Sequence, residues 1–177
     1  MDINNRQKRL GKDFFRRDVL DIAPGLLGNN LVINHEGIVT RKKITETEAY
    51  RGEEDLACHA SKGKTPRNSI MFDEGGYIYI YLIYGMYWML NIVTGPKDFP
   101  QAVLIRGVEG FPGPGKLTKN LNIDKGFHGE NVVYSNKIWI EQGEGTIPLF
   151  YTAPRVGVDY AGEKWASKPW RFFVSTP

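Results

Sequence analysis

The densest cluster of reactive side chains is ETEAY, residues 46–50. It ends a run, Ile38–Thr47, whose β-branched content predicts a strand. Alternate residues of a strand share a face, so Glu46, Glu48 and Tyr50 stand together while Thr47 and Ala49 face the other way. A solvent-facing edge would carry the same pattern. A pocket would instead make one of the carboxylates a general base. HASKGKTPRN, residues 59–68, follows with His59, Lys64 and Arg67. A histidine near a loop is ordinarily a surface or hydrogen-bonded structural residue; the alternative is a pocket shared with Glu48 and Tyr50. Cys58 adjoins His59, but neighbours on extended chain point apart, which argues against a Cys–His pair.

Residues 75–92, GGYIYIYLIYGMYWMLNI, carry no charge and approach the length of a membrane span. Five tyrosines, Gly85 in the middle and Asn91 near the end argue against a spanning helix. The alternation of Tyr77, Tyr79 and Tyr81 predicts a buried strand, followed by a turn and a second apolar element. Such a stripe serves either as plain core packing or as a platform for flat bases, where stacking contributes roughly 1–3 kcal/mol per base.

These residues need elements to position them. Asp18–Leu27 reads as a short helix with Asp18 as N-cap, although Pro24 and Gly25 weaken it. Leu31–Ile33 and Ile38–Thr47 read as strands joined by a polar turn at 34–37. Residues 51–70 are polar with short helical turns. Tyr77–Leu82, Ala102–Arg106, Ile138–Glu141, Ile147–Phe150 and Trp170–Val174 read as further strands. Pro114–Asn122 reads as a helix opened by Gly113 and Pro114, with Leu117 and Leu121 on one face. The expected fold is α+β: a single compact domain over residues 14–177, with a curved, mostly antiparallel sheet flanked by short helices. Residues 1–13 are expected to form a flexible basic N-terminus.

The chain has 177 residues, 41% of them hydrophobic, and a formal net charge of +3. That length suits one domain with a real core. Basic residues concentrate in three runs: 6–17, 41–43 and 62–67. Each alone reads as solvated surface; together, beside aromatic segments, they point to a polyanionic partner. Lys64, Arg67 and Lys116, the last at the start of the predicted helix, are candidate phosphate contacts. One cysteine makes neither an intrachain disulfide nor a cysteine-rich zinc site. No metal and no cofactor is expected. The N-terminus lacks a signal-peptide pattern, so the expectation is an intracellular monomer with no membrane partner.

Taken in order, ETEAY, HASKGKTPRN, YIYIYLIYGMYWMLNI (77–92), AVLIR (102–106), GPGKL (113–117) and RVGVDYAGEKWASKPWRFFV (155–174) resemble the alkyladenine (3-methyladenine) DNA glycosylase family. The resemblance runs from Phe14 to Val174. Each motif is short, but six in order with family-like spacing are specific. The resemblance implies a single-domain α+β enzyme that uses no metal. Its partner would be double-stranded DNA containing damaged purines, alkylated or deaminated, such as 3-methyladenine, 7-methylguanine, hypoxanthine and ethenoadenine. It would hydrolyse the N-glycosidic bond of a flipped purine and leave an abasic site. By the same resemblance Glu48 is the general base that activates water, and Arg106 helps position both. Tyr50, His59 and Tyr81 contact the flipped base. Asn91 senses its exocyclic group, Leu104 lies on the strand lining the site, and Tyr84 fills the gap left in the duplex. A catalytically silent module that binds damaged DNA or RNA would share the basic runs and tyrosines. Glu48 discriminates between the two, because binding alone does not require a carboxylate facing a polyanion.

Overall fold

From Ile38 to Arg51 the chain carries no glycine or proline, and it forms one strand, β2, of 14 residues. Its length lets it serve two sets of partners. Residues Ile38–Lys43 pair with β1 (Asn30–His35), and Ile44–Arg51 pair with β5 (Gln101–Val108). On β2, Glu46–Glu48 also pair with β9 (Arg171–Phe173), so the carboxylate end of the strand has neighbours on both edges. Of the two alternatives for ETEAY, the solvent-facing edge is excluded, because the residues lie inside a sheet.

A computed structural model describes residues 9–174. Beyond β2, β3 (Ile78–Ile83) and β4 (Tyr87–Val93) form a hairpin whose second strand pairs with β5. β6 (Phe111–Pro112) adds to β5, β7 (Ile138–Glu141) to β1, and β8 (Tyr151–Ala153) to β9. The result is an antiparallel sheet with the order β3-β4-β5-β2-β1-β7 along its main path. Among the described residues four short helices accompany it: α1 (Lys12–Phe15), α2 (Val19–Gly25), α3 (Pro114–Asn120) and α4 (Glu163–Ala166). The fold is α+β, as expected.

One face of the sheet buries Ile44, Ala49, Ile78, Ile80, Leu90, Ile92, Val103 and Ile105 in the main core. Helix α2 begins where predicted, with the Asp18 carboxylate accepting from the Leu20 N–H at 2.9 Å. The helix is tied to the sheet by Thr47 Oγ1 donating to the Ala23 carbonyl, and by the Val19 N–H donating to Gln101 Oε1. Gly113, with φ 91°, and Pro114 open α3, which buries Leu117 as the periodicity requires.

One expectation is corrected. Residues 147–150 form no strand: Pro148 has no N–H for a ladder, and Ile147 and Leu149 are exposed. The strand lies one step later, at Tyr151–Ala153. From Arg9 onward the N-terminal segment contacts the sheet. Arg9 bridges Glu141 and stacks over Trp139 at 4.3 Å, and the Leu10 N–H donates to the Ile140 carbonyl. Residues 1–8 of that segment lie outside the described residues. Among the described residues no helix is long and apolar enough to cross a membrane; 75–92 is the β3–β4 hairpin.

Candidate active site

Pairing register brings the chemistry together. Tyr79 lies opposite Asn91, Asn91 opposite Leu104, and Leu104 opposite Glu48. Directly opposed residues share a face, so these four form a row across β3, β4, β5 and β2. A second row carries Tyr81 opposite Met89. Both rows face away from the main core and line a cavity of about 540 Å³. Glu48, Tyr50, His59, Arg67, Tyr81, Tyr84, Asn91, Leu104, Arg106 and Lys116 all line it; Lys64 does not. Lys64 is exposed, with Nζ 5.4 Å from the Phe72 ring centroid.

The ladder between β2 and β5 slips twice, between Ile44 and Glu46 and again between Glu46 and Thr47. The slips leave Thr45 on one strand and Arg106 on the other without a register partner. Such irregularities turn side chains out of the regular pleat. Here Arg106 reaches back along β2: its Nε donates to Glu46 Oε1 at 3.0 Å, and its Nη1 lies 3.4 Å from Glu48 Oε1. Glu46 is also held by Arg171 at 3.2 Å. Arg106 is thus anchored chiefly by Glu46 and leans on Glu48.

Glu48 is fully buried. The Val156 N–H donates to its Oε1 at 2.8 Å, and the Tyr50 hydroxyl donates to its Oε2 at 2.7 Å. Burial raises the pKa of Glu48, and the charge of Arg106 with the two hydrogen bonds offsets this only in part. The loss of water around Glu48 outweighs the nearby cation. Tyr50, buried against that carboxylate, is pushed well above the ordinary tyrosine range by desolvation and then by the Glu48 charge, so it remains a donor.

His59 and Tyr81 touch edge to face, with ring centroids 4.4 Å apart and planes at 62°, and both line the cavity. His59 Nδ1 lies 2.9 Å from the Tyr79 hydroxyl, which fixes the ring's orientation. Loss of solvent around the ring and the charge of Arg67 lower the His59 pKa, favouring neutral imidazole. The Asn91 amide donates to the carbonyls of Tyr79 and Met89, leaving Oδ1 as its acceptor for a ligand. Cys58 is buried, and desolvation pushes its thiol up to about 12, which makes it a poor nucleophile.

At the tip of the hairpin, pairing ends at Ile83 opposite Tyr87, leaving Tyr84, Gly85 and Met86 as the loop. Tyr84 has φ 52° and is 83% exposed. A bulky residue in the left-handed region is strained, and this one gains no burial in return. Lys116 and Arg67 stand exposed on the same rim.

Sequence reasoning missed Tyr79 as the partner of His59, although the same alternation that places Tyr81 places it. It also missed the Val156 N–H, because a backbone donor leaves no side-chain signature.

Comparison with known proteins shows the family. The family model described as "Methylpurine-DNA glycosylase (MPG)" matches residues 13–112 and 110–177. Three relatives carry the name "Putative 3-methyladenine DNA glycosylase". The protein of Methanocella arvoryzae is 42% identical over 93% of this chain and 91% of its own. That of Borreliella burgdorferi strain ZS7 is 44% identical over 91% and 93%, and that of Desulfitobacterium hafniense 39% over 94% and 95%. The chain belongs to the methylpurine-DNA glycosylase family.

Proposed function

We infer that this protein excises damaged purines from double-stranded DNA by hydrolysing the bond between base and sugar. One observation carries the reading: a fully buried carboxylate, Glu48, at the wall of an aromatic cavity beside an arginine. Burying a carboxylate is costly, and a binding platform would gain nothing from that cost.

A base inside a duplex shields its own glycosidic bond, so the nucleotide must turn out at a cost of a few kcal/mol. Tyr84, held outward at the hairpin tip, occupies the gap. The base enters the cavity between Tyr50 and the His59–Tyr81 pair, and Asn91 Oδ1 tests its exocyclic edge. Aromatic walls favour alkylated purines, because a cationic ring is attracted by the π faces. As the bond breaks, positive charge develops on the sugar. Ionised Glu48 stabilises that charge and takes a proton from the attacking water. Arg106 orients the water and the carboxylate. The sugar is left with a hydroxyl, and the base departs; a base already cationic leaves without a proton donor.

Duplexes carrying single defined lesions, incubated with the protein and then cleaved at abasic sites with alkali, test the reading directly. Cleavage at an alkylated purine and none at undamaged purines is expected. No cleavage at any lesion, with tight lesion-duplex binding retained, would favour a silent binding module.

Two further results are expected. Tyr84→Ala should reduce excision from duplex DNA by about tenfold or more, consistent with a lost stacking contact of roughly 1–3 kcal/mol, and reduce single-strand excision less. Equal loss on both substrates would show that Tyr84 does not act on the duplex. Affinity for a lesion duplex should fall steeply with salt, with log K linear in log salt at a slope of about −0.9 per phosphate contacted. Arg67 and Lys116 on the rim, and Lys64 beyond it, motivate this. Lys116→Ala should reduce the slope by about 1; an unchanged slope removes Lys116 from the contact.

A further inference from the structure

Outside the cavity, Arg155 and Asp55 form an ion pair whose side chains are both wholly buried. The pairing is two-pronged, with Nη1 to Oδ2 at 2.6 Å and Nη2 to Oδ1 at 2.9 Å. Nη1 also donates to the Ala49 carbonyl at 2.9 Å, and Nη2 to the Trp165 carbonyl at 3.2 Å. The guanidinium lies over the rings of Tyr50 and Trp170, 4.8 Å and 5.0 Å from their centroids. Asp55 accepts in turn from the backbone N–H groups of Arg51 and Ala57. Neither side chain lines the cavity.

A buried ion pair rarely stabilises a fold more than well-packed apolar residues of similar size. What this pair touches gives it another use. Ala49 sits between Glu48 and Tyr50, so the bond to its carbonyl fixes the strand end that carries both. The ring of Tyr50 rests against the guanidinium. Val156, the next residue after Arg155, donates its N–H to Glu48. Asp55 holds the start of the segment that leads to His59. We propose that the buried Arg155–Asp55 pair is the positioning element of the site, holding the Tyr50 ring and the Val156 N–H against Glu48. This rests on the glycosylase reading above.

The test uses the full chain and a duplex with one alkylated purine. Asp55→Asn combined with Arg155→Met removes both charges together, so neither is left buried and unpaired. Arg155→Lys alone keeps the charge but loses the two-pronged grip. Either protein, with a melting transition, should lose about a hundredfold in single-turnover excision, the scale of a misplaced reacting group, while lesion-duplex affinity changes little. The pH midpoint of excision should also move upward, because Glu48, still facing Glu46, Arg106 and Tyr50, loses the Val156 N–H that favours its ionised form. A purely structural role would lower the active fraction and leave the midpoint in place. The proposal is overturned if a folded variant excises at the wild-type rate. It is also overturned if the midpoint stays fixed while binding and excision fall together, or if both variants fail to fold. Wild-type protein that excises nothing sinks the glycosylase reading and this proposal with it; an active wild type beside an equally active variant sinks this proposal alone.

Discussion

Glu48→Gln is expected to lower single-turnover excision of an alkylated purine by about 10²–10⁴-fold while leaving the lesion duplex bound. The substitution keeps the shape of the side chain and removes its charge and basicity. The hydrogen bonds around it can be kept. Glutamine Oε1 accepts from the Val156 N–H, and its amide donates to the Tyr50 hydroxyl, which turns to accept. Arg106 stays in place because its closer partner is Glu46. The cavity therefore persists, and what disappears is the base for water and the negative charge beside the developing cation. In a water-excluded site that charge contributes more than it would in solution, so the loss should sit toward the upper end of the range. Binding should hold or tighten, since one carboxylate near the phosphates is gone. A glutamine protein that excises at near the wild-type rate would falsify the role of Glu48. Loss of binding together with excision would make this strand end structural.

Much of the site is legible in the sequence because it rests on strand alternation. Period-two spacing alone puts Glu48 with Tyr50 and Tyr79 with Tyr81, and these are the residues the register delivers to one face. Asn91, Leu104, His59 and Arg106 came from the ordered motifs, and all of them line the cavity. Other features were not legible because they depend on two segments at once. The slip that frees Arg106 belongs to the pairing of β2 with β5, not to either strand alone. The balance between desolvation and Arg106 at Glu48 depends on how completely the carboxylate is covered, by β9 and the Val156 segment among others. The Arg155–Asp55 pair spans a hundred residues of chain, so no local pattern announces it. The late strand shifts for a simpler reason: the apolar residues at 147–150 mimic a strand, but Pro148 cannot donate to a ladder and the pairing starts at Tyr151.

Excision should depend on pH in a way that the burial of Glu48 dictates. Its folded pKa is raised from the ordinary 4.5, so the ionised base appears only above that value. Below the midpoint the single-turnover rate should climb about tenfold per pH unit, then level off as Glu48 becomes fully ionised. His59 titrates nearby, but desolvation and Arg67 lower its value from 6.5, and His59→Gln should leave the Glu48 midpoint in place. Stability should show the same ionisation with the opposite sign. A carboxyl whose folded pKa is raised favours the fold in its neutral form. That contribution is fully present below the unfolded value and is lost as pH rises through the folded value. Thermal melting of Glu48→Gln relative to wild type should therefore gain with rising pH, starting near 4.5 and levelling where the excision rate levels. The acid that makes the site active is the one that weakens the fold when it ionises. A rate midpoint at or below 4.5, or a melting difference that shrinks as pH rises, would mean that Arg106 and the two hydrogen bonds outweigh burial at Glu48 after all.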